Sequence, residues 1–142
     1  MKKHASAVWQ GGIKDGKGTI STETGVLSNA PYGFKSRFED GPGTNPEELI
    51  GAAHAGCFSM ALSAVLGKEG FVADSIETRA EATMEPGMDP GPTITGVTLI
   101  VKARVPGIDA ERFQQIAGAA KAGCVISRAL SVPVGLQATL DA

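Results

Sequence analysis

The long stretch Leu49–Gly67 contains no acidic or basic side chain other than His54 and constrains the fold more than any other part of the sequence. Asn45 is a strong N-cap residue, and Pro46 suits the first helical position, where a missing N–H costs nothing. Two glutamates follow and favour the positive end of a helix dipole. The pattern predicts a helix that is apolar nearly all round, and such a helix is buried.

The same stretch is long enough to raise the alternative of a transmembrane helix. It contains His54, Ser59 and Ser63, however, and it opens with two glutamates. These features favour the buried helix of a globular protein and predict no membrane partner. The small side chains along the helix would let another backbone approach closely, so we expect two copies to pack together as a homodimer.

Length and composition set further bounds. A chain of 142 residues fits one domain, 1–142, with a proper core. The formal net charge is −2 and there is no basic cluster, which disfavours nucleic-acid binding. The N-terminus lacks an apolar segment of signal-peptide length. Two cysteines without such a signal indicate reducing cytoplasm, where a bond between them would be transient.

Alternation, turn residues and caps predict the remaining elements of an α+β fold with largely antiparallel sheets around the long central helix. The expected strands are His4–Gly11, Gly18–Glu23, Tyr32–Phe38, Ser75–Met84, Thr93–Val105 and a final edge strand Val132–Asp141. Two further helices are expected, one capped by Asp109 and running to about Ala122, and a short one over Cys124–Leu130.

The two cysteines are candidates for redox chemistry. Cys57 lies deep in the apolar helix, and Cys124 lies in another stretch of small residues. Cysteine is common in protein cores as an inert small hydrophobe, so inert packing is one interpretation. Two cysteines on two buried elements suggest the other, a redox pair.

Many segments of the chain resemble one known family. They are Trp9-Gln10-Gly11, Gly16-Lys17-Gly18, Pro31-Tyr32-Gly33-Phe34, Arg37-Phe38, the run from Thr44 through Cys57 to Leu62, Val105-Pro106-Gly107-Ile108-Asp109 and Ala120-Lys121-Ala122-Gly123-Cys124. The sequence resembles the OsmC and organic hydroperoxide resistance protein family. The OsmC branch matches better, and the organic hydroperoxide resistance branch is the nearest alternative.

The resemblance implies an OsmC-like fold, an intertwined homodimer and a thiol-dependent peroxidase that serves oxidative and osmotic stress defence. Its substrates would be organic hydroperoxides and hydrogen peroxide. By motif position, Cys57 matches the family's peroxidatic cysteine and Cys124 its resolving cysteine. Arg37 matches the thiolate-stabilising arginine, and Glu47 its acidic partner. The sequence departs from the family at Val125, where proline is common.

The implied reaction has a definite course. Cys57 would become a sulfenic acid, Cys124 would condense with it to a disulfide, and an external dithiol of lipoyl type would reduce that disulfide. No metal, haem or flavin cofactor is implied.

Physical chemistry explains why such a reaction needs a cation. An unperturbed cysteine is only a few per cent thiolate at neutral pH, and burial raises the pKa of a thiol. Cys57 is roughly 17 Å from the helix N-terminus at about 1.5 Å per residue, too far for the helix dipole to help. Arg37, on the expected strand before the helix, is the best candidate, and Glu47 would keep it oriented.

Several alternatives remain open at this point. His54 could pack in the core, lie at the dimer contact or assist proton transfer, and a zinc site of His4, His54, Cys57 and Cys124 is conceivable despite wide spacings. The apolar residues Trp9, Phe34, Phe58, Met60, Leu62 and Phe71 are expected in the core or in a pocket wall that suits an alkyl hydroperoxide. Besides an enzyme, the chain could be a thiol switch that senses peroxide or a non-catalytic dimeric scaffold.

The spacing of Glu47 and Cys57 carries one more expectation. Ten residues on one helix correspond to about 15 Å along the axis. One arginine side chain does not easily reach both groups in one subunit. We therefore expect Glu47, together with Arg37, to come from the partner chain and complete a composite site around Cys57.

Overall fold

The computed structural model describes residues 1–141. They form two compact units, of which the first is Met1–Leu49 and the second begins at Ile50. The elements in chain order are β1 (Ala5–Gln10), β2 (Lys17–Thr22), β3 (Ala30–Tyr32), α1 (Phe34–Phe38), α2 (Pro46–Lys68), β4 (Ser75–Glu85), β5 (Thr93–Arg104), α3 (Ala110–Gly123), α4 (Val125–Ala129) and β6 (Val134–Asp141). The predicted α+β fold with largely antiparallel sheets is confirmed. The single domain over 1–142 stays a prediction.

The first unit is built on an antiparallel sheet in the order β1-β2-β3. The predicted first two strands are confirmed as a hairpin in which Trp9 lies opposite Gly18. Every residue of β1 is exposed. Within residues 1–49, all of which the structure describes, only Gly18 and Ser36 are buried, so this unit has no apolar core of its own.

The third predicted strand, Tyr32–Phe38, is wrong: the strand ends at Tyr32, and Phe34–Phe38 is a single helical turn. Alternation over so few residues is ambiguous, because apolar side chains four residues apart also share one face of a helix. Phe34 and Phe38 use the helical spacing and place their ring centroids 5.1 Å apart. The Ser36 hydroxyl accepts from the Gly33 amide and donates to the Gly33 carbonyl, which closes the turn.

The second unit contains the core. Its sheet has the order β4-β5-β6, with β4 antiparallel and β6 parallel to β5. The predicted edge strand is therefore confirmed as β6. Alternate residues of β5, from Val97 to Ala103, are buried, and Leu99, Val101 and Ala103 lie in one cluster with side chains of α2 and α3. The core cluster consists of Phe58, Leu62, Leu66, Leu99, Val101, Ala103, Val105, Phe113, Ile116, Ala117, Ala120 and Cys124.

Helix α2 is confirmed and begins as predicted, since the Asn45 side chain accepts from the Glu48 amide at 2.8 Å. Its buried residues form one stripe, Gly51, His54, Phe58, Leu62 and Leu66. A side chain at Gly51 would lie 3.1 Å from the Ala80 carbonyl oxygen, so glycine allows α2 to approach β4 closely.

The remaining surface of α2 is uncovered in this chain. Met60, which we expected in the core or a pocket wall, is 77% exposed. By length and composition, α2 is the one helix within residues 1–141 that could cross a membrane. The same test is passed by core helices of globular proteins, and the buried stripe shows that one side of α2 packs on the protein core.

The two later helices also form where caps and periodicity place them. The Asp109 carboxylate accepts from the Arg112 amide at 2.7 Å and starts α3, which ends at Gly123. The short helix α4 begins at Val125 rather than at Cys124, because Cys124 has an extended backbone conformation and caps the helix.

Candidate active site

The structure brings the two cysteines together in the second unit. Cys57, half-buried on α2, and Cys124, 1% exposed between α3 and α4, have their sulfur atoms 3.1 Å apart. Both are free thiols. A sulfur pair this close, with one member accessible and the other enclosed, can form a bond without rearranging its helices.

The position of Cys124 follows from local helix geometry. It is the N-cap residue of α4, with an extended backbone conformation and no side-chain cap hydrogen bond. Val125 occupies the first helical position, which proline also suits, and the turn forms with valine there. The departure from the family pattern at Val125 thus leaves the turn intact.

The surroundings of Cys124 favour its thiolate. Burial raises the pKa of the Cys124 thiol, but the polar groups of Ser127, Cys57 and Ile126 around it outweigh burial, so the pKa lies below its ordinary value. Charge on this sulfur is therefore stabilised by neutral donors rather than by a cation.

His54 lies one turn before Cys57 and is fully buried. Its Nε2 atom is 2.7 Å from the Ser127 hydroxyl oxygen, whereas its Nδ1 atom has no hydrogen-bond partner within residues 1–141. Burial lowers the pKa of His54, so the ring is neutral near pH 7. Of the alternatives left open for His54, the structure favours a buried residue with one specific contact.

The predicted charged pair also forms, in the first unit. The Arg37 Nε atom donates to the Glu47 Oε1 atom at 2.9 Å, and the side chains are 40% and 12% exposed. Glu47 Oε2 is buried and has no hydrogen-bond partner in the described part of the chain. Asn45 helps to bring the two residues together, because its side chain caps α2 and donates to the Ser36 carbonyl of α1 at 3.1 Å. Arg37 itself lies in the short helix α1 and not on the strand we expected.

An apolar cleft of about 210 Å³ adjoins Arg37 in the same unit. It is lined by Trp9, Ile13, Tyr32, Gly33, Phe34, Arg37 and Phe38. The Arg37 guanidinium also lies over the Phe38 ring, 5.2 Å from its centroid. Trp9 and Phe34 were expected in a pocket wall, whereas Tyr32, Ile13 and Phe38 were not recognised from the sequence.

The zinc alternative has no support in this geometry. No group of three or more His, Cys, Asp or Glu side chains converges on a metal-sized site within residues 1–141. His54 directs its Nε2 atom to Ser127 and not to a shared ion position with Cys57. Ser127 itself was missed in the sequence, because no local pattern connects it with His54, 73 residues earlier.

Two free thiols whose sulfur atoms lie 3.1 Å apart beside the core of an α+β fold are typical of proteins that work through cysteine redox chemistry. The family model described as OsmC-like protein matches residues 39–137. The chain belongs to the OsmC-like protein family.

Individual relatives agree with this assignment. The chain is 53% identical over 136 residues to peroxiredoxin OsmC of Escherichia coli (strain K12), covering 96% of this chain and 94% of that protein. It is 32% identical to the organic hydroperoxide resistance protein OhrB of Bacillus subtilis (strain 168), over 79% of this chain and 80% of that one. The crystal structure of OhrB of Bacillus subtilis superimposes with a TM-score of 0.73 at 29% identity, over 97% of this chain and 98% of that one.

Proposed function

We propose that this protein is a thiol-dependent peroxidase that reduces organic hydroperoxides, and also hydrogen peroxide, at Cys57. The class of enzyme follows from the family and from the peroxiredoxin with which the chain shares 53% identity. The assignment of individual residues is our own. It rests mainly on one observation, the 3.1 Å distance between the Cys57 and Cys124 sulfur atoms.

In the first step, the Cys57 thiolate attacks the terminal oxygen of R–O–OH. The O–O bond breaks, the alkoxide takes up a proton and leaves as alcohol, and Cys57 becomes a sulfenic acid. Cys57 is the attacking thiol because it is half-buried, whereas Cys124 is only 1% exposed and less accessible to a peroxide.

In the second step, Cys124 attacks the Cys57 sulfenic acid. The S–O bond breaks, an S–S bond forms and water leaves. An external dithiol of lipoyl type then reduces the disulfide by thiol–disulfide exchange and restores both thiols. No cofactor is needed for this cycle.

Arg37 supplies the charge that the first step requires. Glu47 binds the guanidinium through Nε, which leaves the two terminal nitrogens of Arg37 to contact the reacting thiolate of the partner chain and the peroxide oxygens. Charge develops on the leaving alkoxide, and a fixed guanidinium stabilises it in the transition state. Glu47 orients Arg37, and its low exposure keeps the pair in place.

The cleft beside Arg37 supports an alkyl hydroperoxide as substrate. Its wall is mainly aromatic and aliphatic, with one cation at the wall, which suits an apolar chain that ends in a peroxide group. The relatives named organic hydroperoxide resistance proteins are consistent with this substrate class.

The working protein is a homodimer in this proposal. Much of the apolar surface of α2 is uncovered, with Met60 77% exposed, and residues 1–49 contain no buried large apolar side chain. A second copy packed on α2 would cover this surface. The cytoplasm, with its thiol reductants, is the compartment we propose.

The dimer also determines which chain completes the site. Glu47 and Cys57 are ten residues apart on α2, or about 15 Å along the axis at the usual helical rise. Arg37 and Glu47 already form one unit within a chain, so we place both of them next to the partner's active thiol.

Turnover tests the enzymatic function. Purified protein should steadily consume cumene or tert-butyl hydroperoxide in the presence of a lipoyl dithiol, and Cys57→Ser should abolish consumption. Cys124→Ser should keep the first attack and lose recycling. A single stoichiometric oxidation without turnover, under several dithiols, would instead indicate a peroxide sensor.

Mixed dimers test the composite site. A Cys57→Ser chain combined with a Glu47→Ala chain should regain one working site per dimer if the carboxylate comes from the partner. If both residues act within one chain, the mixture stays as inactive as its parents. Sedimentation equilibrium of the wild-type protein establishes the dimer itself.

A further inference from the structure

Two pairs of side chains connect helix α2 with the segment that begins at Cys124. Cys57 and Cys124 place their sulfur atoms 3.1 Å apart, and His54 Nε2 lies 2.7 Å from the Ser127 hydroxyl oxygen. His54 is one helical turn before Cys57, and Cys124 caps the short helix that contains Ser127. The two contacts therefore lie side by side between the same two segments.

Little else fixes the position of α4. None of its residues is buried, and Val125 is 61% exposed. Ile126 packs against the core cluster as a partly buried side chain, and the Arg128 side chain donates to the Gly123 carbonyl just before the helix. Within residues 1–141, Ser127 is the residue of α4 whose side chain hydrogen bonds to α2. A helix that buries so little surface opens easily unless a specific contact holds it.

The burial of His54 makes this contact hard to replace. The ring is 0% exposed, and its Nδ1 atom has no hydrogen-bond partner within the described residues. A ring enclosed in a close-packed core has little room to turn toward another partner. If α4 moved away from α2, the Nε2 atom would also be left buried and unpaired, which costs free energy.

We propose that His54 and Ser127 are positioning residues of the second step, because their hydrogen bond holds α4 against α2 and keeps the Cys124 sulfur within reach of Cys57. The inference rests on the proposed function, since it concerns the condensation of Cys124 with the Cys57 sulfenic acid. It assigns neither residue a part in peroxide attack, which occurs at Cys57 before Cys124 reacts.

The step that depends on this position is the formation of the disulfide. The Cys124 thiol gives up its proton, and its sulfur supplies the electron pair of the new S–S bond to the sulfur of Cys57–S–OH. The S–O bond breaks, and its electron pair leaves with hydroxide, which takes up one proton and becomes water. The rate of such a step depends on how closely the reacting atoms are held, so a looser α4 slows it.

The chain offers matched variants. Ser127→Ala removes the hydroxyl and Ser127→Thr keeps it, both at a half-buried position outside the core. His54→Leu replaces the ring with an apolar side chain in the same space. Ser59→Ala is the control, because Ser59 is a half-buried serine of α2 whose hydroxyl lies 2.7 Å from that of Thr78, on β4 rather than α4.

Two rates are measured in a single turnover with cumene hydroperoxide: the loss of peroxide, and the appearance of the disulfide by quenched-flow mass spectrometry. Ser127→Ala should consume peroxide at the wild-type rate and form the disulfide roughly 3- to 10-fold more slowly, the size expected for one lost hydrogen bond. Ser127→Thr and Ser59→Ala should match the wild type in both rates.

A double-mutant cycle shows whether the two residues act through each other. His54→Leu should slow disulfide formation by about as much as Ser127→Ala. The double variant His54→Leu/Ser127→Ala should be no slower than the slower single variant, because the contact is already absent in each.

The reduction potential of the disulfide is an independent readout. Without the contact, α4 is freer in the reduced protein, so closing the disulfide between Cys57 and Cys124 orders more of the chain. In equilibrium with dihydrolipoamide, Ser127→Ala should be easier to reduce by roughly 3- to 10-fold in the equilibrium constant, or about 14–30 mV for a two-electron couple. Ser59→Ala should keep the wild-type potential even where it lowers the melting temperature.

Four results would overturn the inference. They are disulfide formation at the wild-type rate in Ser127→Ala, an unchanged potential in that variant, a disulfide step in Ser127→Thr as slow as in Ser127→Ala, and slowing factors that multiply in the double variant. In each case wild-type turnover still stands, so the proposed function survives. Wild-type protein that consumes no hydroperoxide would overturn the proposed function and this inference with it.

Discussion

The two compact units of this chain differ in how they are stabilised. All of the buried apolar side chains within residues 1–141 lie at Phe58 or later, in the second unit. The first unit exposes every residue of β1 and buries only Gly18 and Ser36. Nevertheless, this sparsely packed unit contains the charged pair and the aromatic cleft.

The comparison teaches that stability and substrate chemistry are divided along the chain. The second unit buries a core and sets the two thiols 3.1 Å apart within it. The first unit buries too little apolar surface to offset its own loss of conformational entropy on folding. Its exposed apolar side chains therefore need to pack against another protein surface. A second copy of the chain provides that cover in our proposal, and four experiments test the division of roles.

The largest effect is expected for the charged pair of the first unit. Arg37→Met should slow Cys57 oxidation by about 100- to 1000-fold, because it removes the charge that stabilises the transition state. The measurement is single-turnover peroxide loss, with Glu47→Gln included to avoid a buried unpaired carboxylate.

Arg79→Met is the matched control, since Arg79 forms an ion pair with Glu81 on β4 and its side chain is 76% exposed. It should react at the wild-type rate. An unchanged rate in Arg37→Met would place the thiolate-stabilising charge elsewhere in the protein.

The same substitution in the two sheets compares their packing directly. Val101→Ala in β5, where valine is 1% exposed, should lower the free energy of unfolding by about 2–3 kcal/mol. Val8→Ala in β1, where valine is 58% exposed, should lower it by about 0.5 kcal/mol or less in dilute protein.

Urea unfolding at several protein concentrations provides both numbers. If the loss of unfolding free energy in Val8→Ala grows with protein concentration, the partner copy packs on β1. Equal costs at the lowest concentration would contradict the difference between the units.

A pair of helix caps separates stability from activity. Asn45→Ala and Asp109→Ala each remove an N-cap and should each cost about 1 kcal/mol. Asn45 also holds the Ser36 carbonyl next to Arg37, so only its replacement should also reduce peroxidase activity, by a few-fold. Thermal melts and turnover assays check this, and an equal loss of activity in Asp109→Ala would contradict it.

The smallest effect concerns pH. Burial lowers the pKa of His54 in the folded state, so the unfolded chain binds the additional proton. The contribution of neutral His54 is fully present above about pH 6.5 and is lost as the pH falls below it, with a slope of at most about 1.4 kcal/mol per pH unit. Chemical unfolding between pH 5 and 7 measures the slope, which His54→Gln should reduce. The same slope in both proteins would assign it to other groups.

Much of the second unit could be predicted from the sequence because helix caps and apolar periodicity depend only on neighbouring residues. Caps at Asn45 and Asp109, together with apolar periodicity, placed α2 and α3 within a residue or two of their observed bounds. The motif around Cys57 and the motif ending in Cys124 were sufficient to recognise the resemblance to the family. Each of these patterns is contained in a short segment, so no knowledge of the tertiary structure is needed.

The first unit was predicted less well for the same reason. The segment Phe34–Phe38 by itself is compatible with a strand and with a helix. The hydrogen bonds between Ser36 and Gly33 stabilise the helix. The pairing of Arg37 with Glu47 was inferred from the family, but the way Asn45 joins α1 to α2 was not visible in the sequence.

What the sequence by itself determined is most of the helices and strands, the family and the two thiols. Only the tertiary structure decided which atoms surround those thiols. Cys57 and Cys124 are 67 residues apart in the chain, and His54 and Ser127 are 73 apart. Side-chain periodicity and capping act over a few residues, whereas contacts at such separations depend on how α2 and α4 pack against the core.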